Sequence, residues 1–271
     1  MFYASGVCLL FIMIITSKDN TKIKYAAKLM KSASFRNEEG IFVLEGLRLC
    51  MDAVLNRAQI TTAFYTQKFA DKFPDDAEKV IRTASENFCV SDTVFQKLSD
   101  TMSPQGIICL CKIPKSSLKP QKGKKYIILE NISDPSNTGA IARTAEALGL
   151  DGMFVSGGCD IYSPKALRAS MGALVRFPSA SCSNISNLIA DFKSQSIPCF
   201  AAVVSNPDCT VSQVEYTNGA AVIIGNEANG VTDSTKALCD KCITIPMKGR
   251  AESLNAAAAA AILIYETTSF D

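Results

Sequence analysis

Residues 243–255 read Ile-Thr-Ile-Pro-Met-Lys-Gly-Arg-Ala-Glu-Ser-Leu-Asn and lead directly into six consecutive alanines, residues 256–261. A β-branched segment stops at Pro246, a short glycine loop follows, and Ser253 and Asn255 stand where a long alanine helix begins. Backbone N–H groups and short polar side chains therefore converge at one helix start, an arrangement typical of a small-molecule site. The alternative interpretation is a capped helix that simply follows a strand, because alanine is the best helix former.

Two earlier segments carry a similar mixture of small and polar residues. Residues 131–149 read Asn-Ile-Ser-Asp-Pro-Ser-Asn-Thr-Gly-Ala-Ile-Ala-Arg-Thr-Ala-Glu-Ala-Leu-Gly, and residues 223–231 read Ile-Ile-Gly-Asn-Glu-Ala-Asn-Gly-Val. Taken in chain order, the three segments resemble the three motifs of the SpoU branch of the SPOUT methyltransferases, which methylate RNA ribose 2′-hydroxyls. The resemblance implies a catalytic domain over residues 126–271 that uses S-adenosyl-L-methionine.

The second half of the chain has the pattern of an α/β domain. From Tyr126 onward, short apolar runs alternate with helical ones, which predicts a parallel sheet covered on both faces. Pattern alone favours an open doubly wound fold, whereas the resemblance implies a deep trefoil knot at the C-terminal end. The predicted strands are Tyr126–Glu130, Gly152–Val155, Pro198–Val204, Ala220–Gly225 and Cys242–Ile245.

The first half shows a similar alternation of strands and helices. The resemblance identifies residues 13–111 as the ribosomal-protein-like α/β domain with which many SpoU enzymes bind their RNA substrate. A basic amphipathic helix is predicted over Lys18–Arg36, with a solvated helix face as the alternative to an RNA contact. Residues 112–125 contain six lysines and two prolines, and this composition predicts a linker that buries no core.

Composition and charge set further bounds. A chain of 271 residues that is 48% hydrophobic has enough apolar side chains for two modest cores. Residues 1–125 contain 19 basic and 12 acidic residues, whereas residues 126–271 contain 9 and 14. The resulting charges of +7 and −5 suggest that the first half meets a polyanion, for which RNA is the expected partner.

The absence of histidine excludes several kinds of catalytic site. It excludes Ser-His and Cys-His nucleophilic sites, histidine bases and His-Glu-x-x-His metal sites. Eleven cysteines scattered through apolar segments fit a reducing compartment, so we predict a cytoplasmic protein. Cys239 and Cys242 form a lone C-x-x-C pair, which we interpret as structural rather than as a zinc site. No metal is expected.

The apolar N-terminus is not a membrane anchor in this interpretation. It has neither the basic region of a signal peptide nor the length of about 20 apolar residues that spans a bilayer. We interpret residues 1–12 as an upstream extension of the reading frame, with a targeting role as the alternative.

The resemblance assigns roles to residues of the three motifs. The residues that it implies for catalysis are Asn137, Arg143, Glu227, Ser253 and Asn255. The residues that it implies around the cofactor are Gly225, Asn226, Glu227, Ile245, Met247, Gly249, Leu254 and Asn255.

Arg143 matches the arginine that is often assigned as the activator of the ribose hydroxyl. A guanidinium is effectively always protonated and is a poor base, so we favour a clamp on the adjacent phosphate that also stabilises charge on the oxygen. Asn137 is expected to orient the ribose or Arg143, with a helix N-cap as the alternative. Lys165, Arg168 and Ser170 lie in a further family-like segment and are predicted to hold an RNA phosphate.

Three functions compete. The first is an RNA ribose methyltransferase, acting on ribosomal RNA in preference to transfer RNA, and the second is an RNA-binding or assembly protein that has lost catalysis. All five implied catalytic residues are present, which favours the enzyme. A nicotinamide oxidoreductase is disfavoured because no G-x-G-x-x-G follows a strand. The resemblance also implies a homodimer, with Ala256–Ala261 and the small residues Gly139, Ala140 and Ala142 as candidate interface faces.

Overall fold

The computed structural model describes residues 14–269. The chain divides into two compact units, with the boundary between Ile113 and Pro114. The extension predicted for residues 1–12 lies outside the described residues. Within residues 14–269, no helix has both the length and the apolar composition needed to cross a membrane.

Unit 1 is a four-stranded sheet with six described helices. Strand β4 pairs antiparallel with β1 and β2, and β2 pairs parallel with β3, which gives the order β1-β4-β2-β3. The strands are β1 (Ile41–Glu45), β2 (Ile60–Tyr65), β3 (Glu86–Cys89) and β4 (Ile107–Lys112). The helices are α1 (Thr21–Lys31), α2 (Ala33–Glu39), α3 (Leu47–Leu55), α4 (Gln67–Lys72), α5 (Pro74–Thr83) and α6 (Asp92–Leu98).

The single basic helix predicted over Lys18–Arg36 is wrong, because the structure has two helices there. Ser32 is extended and caps α2, since its hydroxyl accepts the backbone N–H of Phe35 at 3.2 Å. The Arg36 guanidinium is buried and donates to the carbonyl oxygens of Leu29 at 2.6 Å and Met30 at 3.3 Å. Arg36 therefore closes the end of α1 with a guanidinium that is buried within unit 1.

Most of the positive charge on α1 has a partner inside unit 1. Lys22 pairs with Glu86 at 2.6 Å and Lys24 pairs with Asp19 at 2.9 Å. The ammonium of Lys28 lies 3.8 Å from the centroid of the Phe35 ring. The alternative of a solvated face with local ion pairs thus describes α1 better than a prepared RNA contact.

Unit 2 is a seven-stranded sheet in which every pair of neighbouring strands is parallel. The strand order is β7-β6-β5-β10-β8-β11-β9. The strands are β5 (Lys125–Glu130), β6 (Gly152–Ser156), β7 (Ser179–Cys182), β8 (Cys199–Ala202), β9 (Cys209–Thr210), β10 (Ala220–Ile224) and β11 (Lys241–Thr244). The helices are α7 (Pro135–Ala147), α8 (Pro164–Ala169), α9 (Ala173–Arg176), α10 (Ile185–Ser194), α11 (Asp233–Lys236) and α12 (Ala256–Thr268), with a 3-10 turn over Val211–Gln213.

The neighbouring strands β5 and β10 form the buried centre of this sheet. Every residue of both strands is buried, which requires cover on both faces because successive side chains point to opposite sides. Tyr126 and Ile128 share an apolar cluster with Phe192 of α10, while α12 contacts both strands and packs on α7. The predicted parallel α/β sheet is confirmed, and its strand order is consistent with the trefoil knot that the resemblance implies.

Residues 114–124, here called the lysine segment, are held on unit 2. Leu118 packs against the apolar cluster of that unit and fills the space beside Gly152, where an added Cβ would lie 2.9 Å from the Leu118 methyl groups. The Tyr126 hydroxyl accepts the backbone N–H of Gln121 at 3.1 Å and donates to the carbonyl oxygen of Lys119 at 3.3 Å. The prediction that this stretch makes no core contact is therefore wrong at Leu118.

Candidate active site

The three motifs meet at one edge of the unit 2 sheet. Parallel strands end at a common edge, and the loops that follow β5, β10 and β11 contain the three motif segments. Helix α7 begins after Asp134, whose side chain accepts the backbone N–H of Ser136 at 3.0 Å, with Pro135 at its first position. Asp134 is thus the N-cap, and the alternative interpretation of Asn137 as the cap is wrong. Asn137 lies in the first turn and is buried.

A chain of hydrogen bonds joins one polar residue from each motif. Asn137 Nδ2 donates to Glu227 Oε1 at 2.9 Å, and Asn137 Oδ1 accepts Asn255 Nδ2 at 3.0 Å. Asn255 Oδ1 caps α12, where it accepts the backbone N–H groups of Ala257 at 2.9 Å and Ala258 at 3.2 Å. Both amides are used as donor and acceptor, so each fixes the orientation of the other.

The environment of Glu227 favours its ionised form. Partial burial by itself raises the pKa of this carboxyl. Hydrogen bonds from the Asn137 amide and from the backbone N–H groups of Ser133 and Asp134 outweigh that effect and lower the pKa below its ordinary value of 4.5. Glu227 therefore stabilises the folded protein above about pH 4.5, and this stabilisation is lost as the pH falls through the lowered pKa.

Replacement of Asn137 by aspartate tests the direction of these bonds. Aspartate keeps the acceptor for Asn255 but places a second carboxylate where Nδ2 now donates to Glu227. Two close carboxylates do not both ionise readily, so one pKa of the pair rises. We expect the free energy of unfolding to fall by about 1–3 kcal/mol at neutral pH.

The pH dependence distinguishes this effect from a simple loss of contacts. A pKa raised in the folded state gives stability that returns as the pH falls, so the Asn137→Asp variant should recover between pH 7 and about 4.5. Asn137→Ala is the matched control and should show no such recovery. Unfolding midpoints measured across this range check the prediction, and parallel pH profiles for the two variants would contradict it.

A cavity of about 410 Å³ lies beside this chain of hydrogen bonds. Six of the eight residues predicted around the cofactor line it, together with Ser253. Gly249 and Asn255 are not among the lining residues. The six are Gly225, Asn226, Glu227, Ile245, Met247 and Leu254.

A second cavity of about 520 Å³, between the lysine segment and the α9–β7 region, contains none of the predicted site residues.

Gly225 permits the tight fold of the loop that forms one wall of this cavity. A Cβ at this position would lie 2.0 Å from the carbonyl carbon of Gly230 and 2.1 Å from the backbone nitrogen of Val231. Asn226 and Gly230 form an isolated antiparallel bridge across the same loop. Only glycine fits where the backbone returns this closely on itself.

Arg143 is on α7 but is not part of the chain of hydrogen bonds. It follows Asn137 by six residues, which is about 9 Å along the helix and about 120° around it. Its side chain is exposed, and among residues 14–269 it has no hydrogen-bond or ion-pair partner. The structure therefore presents Arg143 to solvent.

The three residues predicted to hold an RNA phosphate differ in their exposure. Lys165 pairs with Asp134 at 2.8 Å, and this hydrogen bond is the largest cause of the lowered pKa of Asp134. Arg168 is half-buried. Ser170 is fully buried and donates to the carbonyl oxygen of Leu167 at 2.8 Å, so its hydroxyl is not available to a phosphate in this structure.

The described residues contain no cluster suited to a metal ion. No group of three or more histidine, cysteine or acidic side chains comes together within residues 14–269. Cys239 and Cys242 are free thiols, and the Cys239 thiol donates to the carbonyl oxygen of Thr235 at 3.2 Å.

The fold and the site together define the class of protein. A parallel α/β domain whose three motif loops meet beside one cavity is the arrangement of the SPOUT methyltransferases. The chain belongs to the SpoU rRNA Methylase family, whose model matches residues 124–265. Residues 20–109 match the MRM3-like substrate binding domain.

Similar proteins extend over nearly the whole chain. A 23S rRNA (guanosine(2553)-2′-O)-methyltransferase of Bacillus subtilis is 28% identical over 252 residues, which are 93% of this chain and 97% of the relative. A 23S rRNA (uridine(2479)-2′-O)-methyltransferase of Streptomyces viridochromogenes is 28% identical over 93% of this chain and 90% of the relative. The crystal structure of the SpoU methyltransferase AviRb from Streptomyces viridochromogenes in complex with AdoMet has a TM-score of 0.85 at 26% identity, covering 92% of this chain and 97% of that chain.

Proposed function

We propose that the protein transfers a methyl group from S-adenosylmethionine to a ribose 2′-hydroxyl of RNA. The observation that carries the proposal is the Glu227–Asn137–Asn255 chain of hydrogen bonds beside the cavity, because it joins the three family motifs. Relatives named as rRNA 2′-O-methyltransferases, and a neighbour solved with AdoMet bound, support the same reaction.

The cavity has the chemistry that this cofactor requires. Ile245, Met247 and Leu254 offer apolar walls for a base and a ribose, and the Glu227 carboxylate complements positive charge. When bound, S-adenosylmethionine supplies the electrophilic methyl group. In this proposal Gly249, which does not line the cavity, does not contact the cofactor, and Asn255 acts through Asn137 and the start of α12.

The protein's contribution is mainly to position the reacting groups. Asn137 and Asn255 hold the Glu227 carboxylate and the start of α12 in a fixed relation, and Ser253 lines the cavity. Arg143 grips the phosphate next to the target ribose and stabilises negative charge on the 2′-oxygen as its proton passes to water. Lys165 and Arg168 are secondary candidates for phosphate contacts.

Calorimetry with S-adenosylhomocysteine tests the cofactor assignment. The full-length protein is expected to bind this demethylated product of the cofactor and to bind NAD much more weakly, since no glycine-rich phosphate turn follows a strand. Tighter binding of NAD, or a folded protein without affinity for S-adenosylhomocysteine, would exclude the proposed reaction.

The RNA partner is proposed to be ribosomal RNA in preference to transfer RNA, as the names of the two relatives suggest. Residues 13–111 are proposed to bind this substrate, supported by the match to a substrate binding domain. The positive charge, however, is concentrated elsewhere. Residues 1–113 contain 14 basic and 12 acidic residues, whereas the lysine segment contains four lysines and no acidic residue. The lysine segment therefore accounts for most of the +7 charge.

Three lysines of this segment are expected to contact the RNA backbone. Changing Lys115, Lys119 and Lys122 together to alanine should weaken RNA binding and flatten its salt dependence, because each lost phosphate contact lowers the slope by about 0.7–0.9. The matched control changes Lys22, Lys24 and Lys28 of α1, whose charges have partners within unit 1. Affinity is measured from 50 mM to 200 mM salt, the range over which such contacts weaken strongly.

The comparison of the two triple variants decides where the charge acts. If the salt dependence of RNA binding decreases more in the α1 variant than in the lysine-segment variant, the RNA lies on α1 instead. Cofactor affinity should stay at the wild-type value in both variants, since none of the six lysines lines the cofactor cavity.

A cytoplasmic location is also proposed, because the described cysteines are free thiols.

We also propose a homodimer. Helix α12 exposes an apolar stripe at Ala258, Ile262 and Tyr265, where Ile262 is 39% and Tyr265 60% exposed. The small-residue face predicted on α7 is wrong for two of its three residues. An added Cβ on Gly139 would lie 2.3 Å from the Ala166 carbonyl oxygen, and Ala142 is fully buried, so both are used inside the subunit.

Mixed subunits test whether an active site is shared across the dimer. If Arg143 and Asn255 of different subunits serve one site, co-expression of Arg143→Ala with Asn255→Ala should restore activity approaching half per heterodimer. Heterodimers that mass spectrometry detects but that stay inactive would assign both residues to one subunit. Sedimentation as a monomer at micromolar concentration would exclude the dimer itself.

A further inference from the structure

Glu130, the last residue of β5, is a buried carboxylate that the three motifs leave without a role. Its side chain is 3% exposed. Glu130 Oε2 accepts the backbone N–H of Thr232 at 3.0 Å, and Oε1 accepts the hydroxyls of Thr232 at 2.8 Å and Thr235 at 2.7 Å. A buried carboxylate is retained only where such donors satisfy it, so these bonds tie the end of β5 firmly to Thr232 and Thr235.

The bonds to Glu130 fix one end of the loop that follows β10. Thr232 closes this loop and caps α11, since its hydroxyl accepts the backbone N–H of Thr235 at 3.3 Å. The other end of the loop is fixed by Asn131, the residue after Glu130. The Asn226 Nδ2 donates to the carbonyl oxygen of Asn131 at 2.9 Å. Glu130 and Asn131 thus anchor the loop at its exit and at its entry.

This loop is a wall of the cavity assigned above to the cofactor. Residues 224–231 all line that cavity, and Glu227 connects the loop to Asn137. We propose that Glu130 is a positioning residue for the cofactor, an inference that rests on the proposed function. It acts at a distance by holding the Asn226–Val231 loop against the end of β5 and does not touch the reacting atoms.

Unit 1 contains a second carboxylate with the same surroundings. Glu45 is the last residue of β1, is 7% exposed, and accepts the backbone N–H of Asp100 at 3.0 Å. It also accepts the hydroxyl of Thr101 at 2.8 Å and that of Ser99. In both places the next residue has a positive φ, 96° at Gly46 and 55° at Asn131. Glu45 therefore provides a matched control with the same chemistry but outside the cofactor cavity.

The test uses full-length Glu130→Ala, Glu130→Gln and Glu45→Ala. Glu130→Ala removes the acceptor of three donors, of which the Thr235 hydroxyl is buried, and we expect S-adenosylhomocysteine to bind about tenfold or more weakly by calorimetry. The KM for S-adenosylmethionine should rise with it, while the KM for RNA stays close to the wild-type value. Glu45→Ala should lower the unfolding midpoint but leave cofactor affinity unchanged.

Glu130→Gln is expected to restore most of the affinity. Its amide oxygen can accept the Thr232 N–H, and its amide NH2 can donate to two hydroxyls, which rotate to accept. Rescue of this kind separates a positioning role from a general effect of the substitution on packing.

Three results would overturn the inference. One is wild-type cofactor affinity in Glu130→Ala, another is an equal loss in Glu45→Ala, and the third is a change confined to the KM for RNA. If Glu130→Ala does not fold, the isosteric Thr235→Val variant removes one donor and should weaken cofactor binding by a smaller factor; wild-type affinity there would also overturn it. A wild-type protein without affinity for S-adenosylhomocysteine would overturn the proposed function and this inference together.

Discussion

Replacement of Arg143 by alanine is expected to reduce RNA methylation about 10²–10³-fold while cofactor affinity stays near the wild-type value. The side chain is exposed on α7 and has no partner among residues 14–269, so its removal disturbs neither the fold nor the cavity. The loss therefore reports on contacts with the RNA. Methyl transfer from radiolabelled S-adenosylmethionine measures the rate, and calorimetry with S-adenosylhomocysteine measures the affinity.

The lysine variant separates two contributions of Arg143. Lysine keeps the positive charge but lacks the planar fork that binds a phosphate with two parallel hydrogen bonds. Arg143→Lys should therefore retain an intermediate rate if the arginine is a phosphate clamp. A rate for Arg143→Ala close to that of the wild type would show that Arg143 is a surface residue without a catalytic role.

Gly225→Ala is expected to reduce RNA methylation by a similar factor, but by disturbing the cofactor site instead of a contact with RNA. The added Cβ would lie 2.0 Å from the Gly230 carbonyl carbon, so the Asn226–Val231 loop must move away from the end of β10. Displacement of a catalytic wall by about 1 Å can cost about 10²-fold in rate. Here both cofactor affinity and methylation should fall together, whereas Arg143→Ala affects methylation alone.

Gly249→Ala is the matched control for this steric effect. An added Cβ at Gly249 meets no atom within 4 Å, and Gly249 is not among the residues that line the cavity. Its cofactor affinity should remain unchanged, and the unfolding midpoint of Gly225→Ala shows how much of its defect is global. Equal affinity for both variants would mean that the loop after β10 does not shape the cofactor site.

The sequence predicted the features of the site that depend on local pattern. The resemblance to the SpoU motifs assigned Asn137, Glu227 and Asn255 to one site, and these three side chains do lie together. Strands β5 and β10 could be predicted from their long apolar runs, which are apolar because both strands are buried on both faces. Strands β7 and β9 were missed because they are edge strands, and Ser179–Cys182 has no continuous apolar run.

Other features depend on contacts between distant residues and leave little trace in a local pattern. The break between α1 and α2 follows from Ser32 as a cap and from the buried Arg36, although the charge pattern continues through both helices. Leu118 is one apolar residue in a lysine-rich stretch, and its role appears only beside Gly152. Glu130 does leave a trace in the sequence, because it is a charged residue that directly follows the apolar run of residues 126–129.

A map of ribose methylation in RNA from cells with and without the gene separates ribose methylation from methylation of a base and from RNA binding without catalysis. A 2′-O-methyl group removes the hydroxyl that attacks the neighbouring phosphate in alkali, so a methylated position resists alkaline cleavage. We expect at least one ribosomal RNA position that resists cleavage only when the gene is present. Purified protein with S-adenosylmethionine should restore this resistance on unmodified RNA, whereas Arg143→Ala should not. An unchanged map, or a methyl group on a base instead of a ribose, would contradict this expectation.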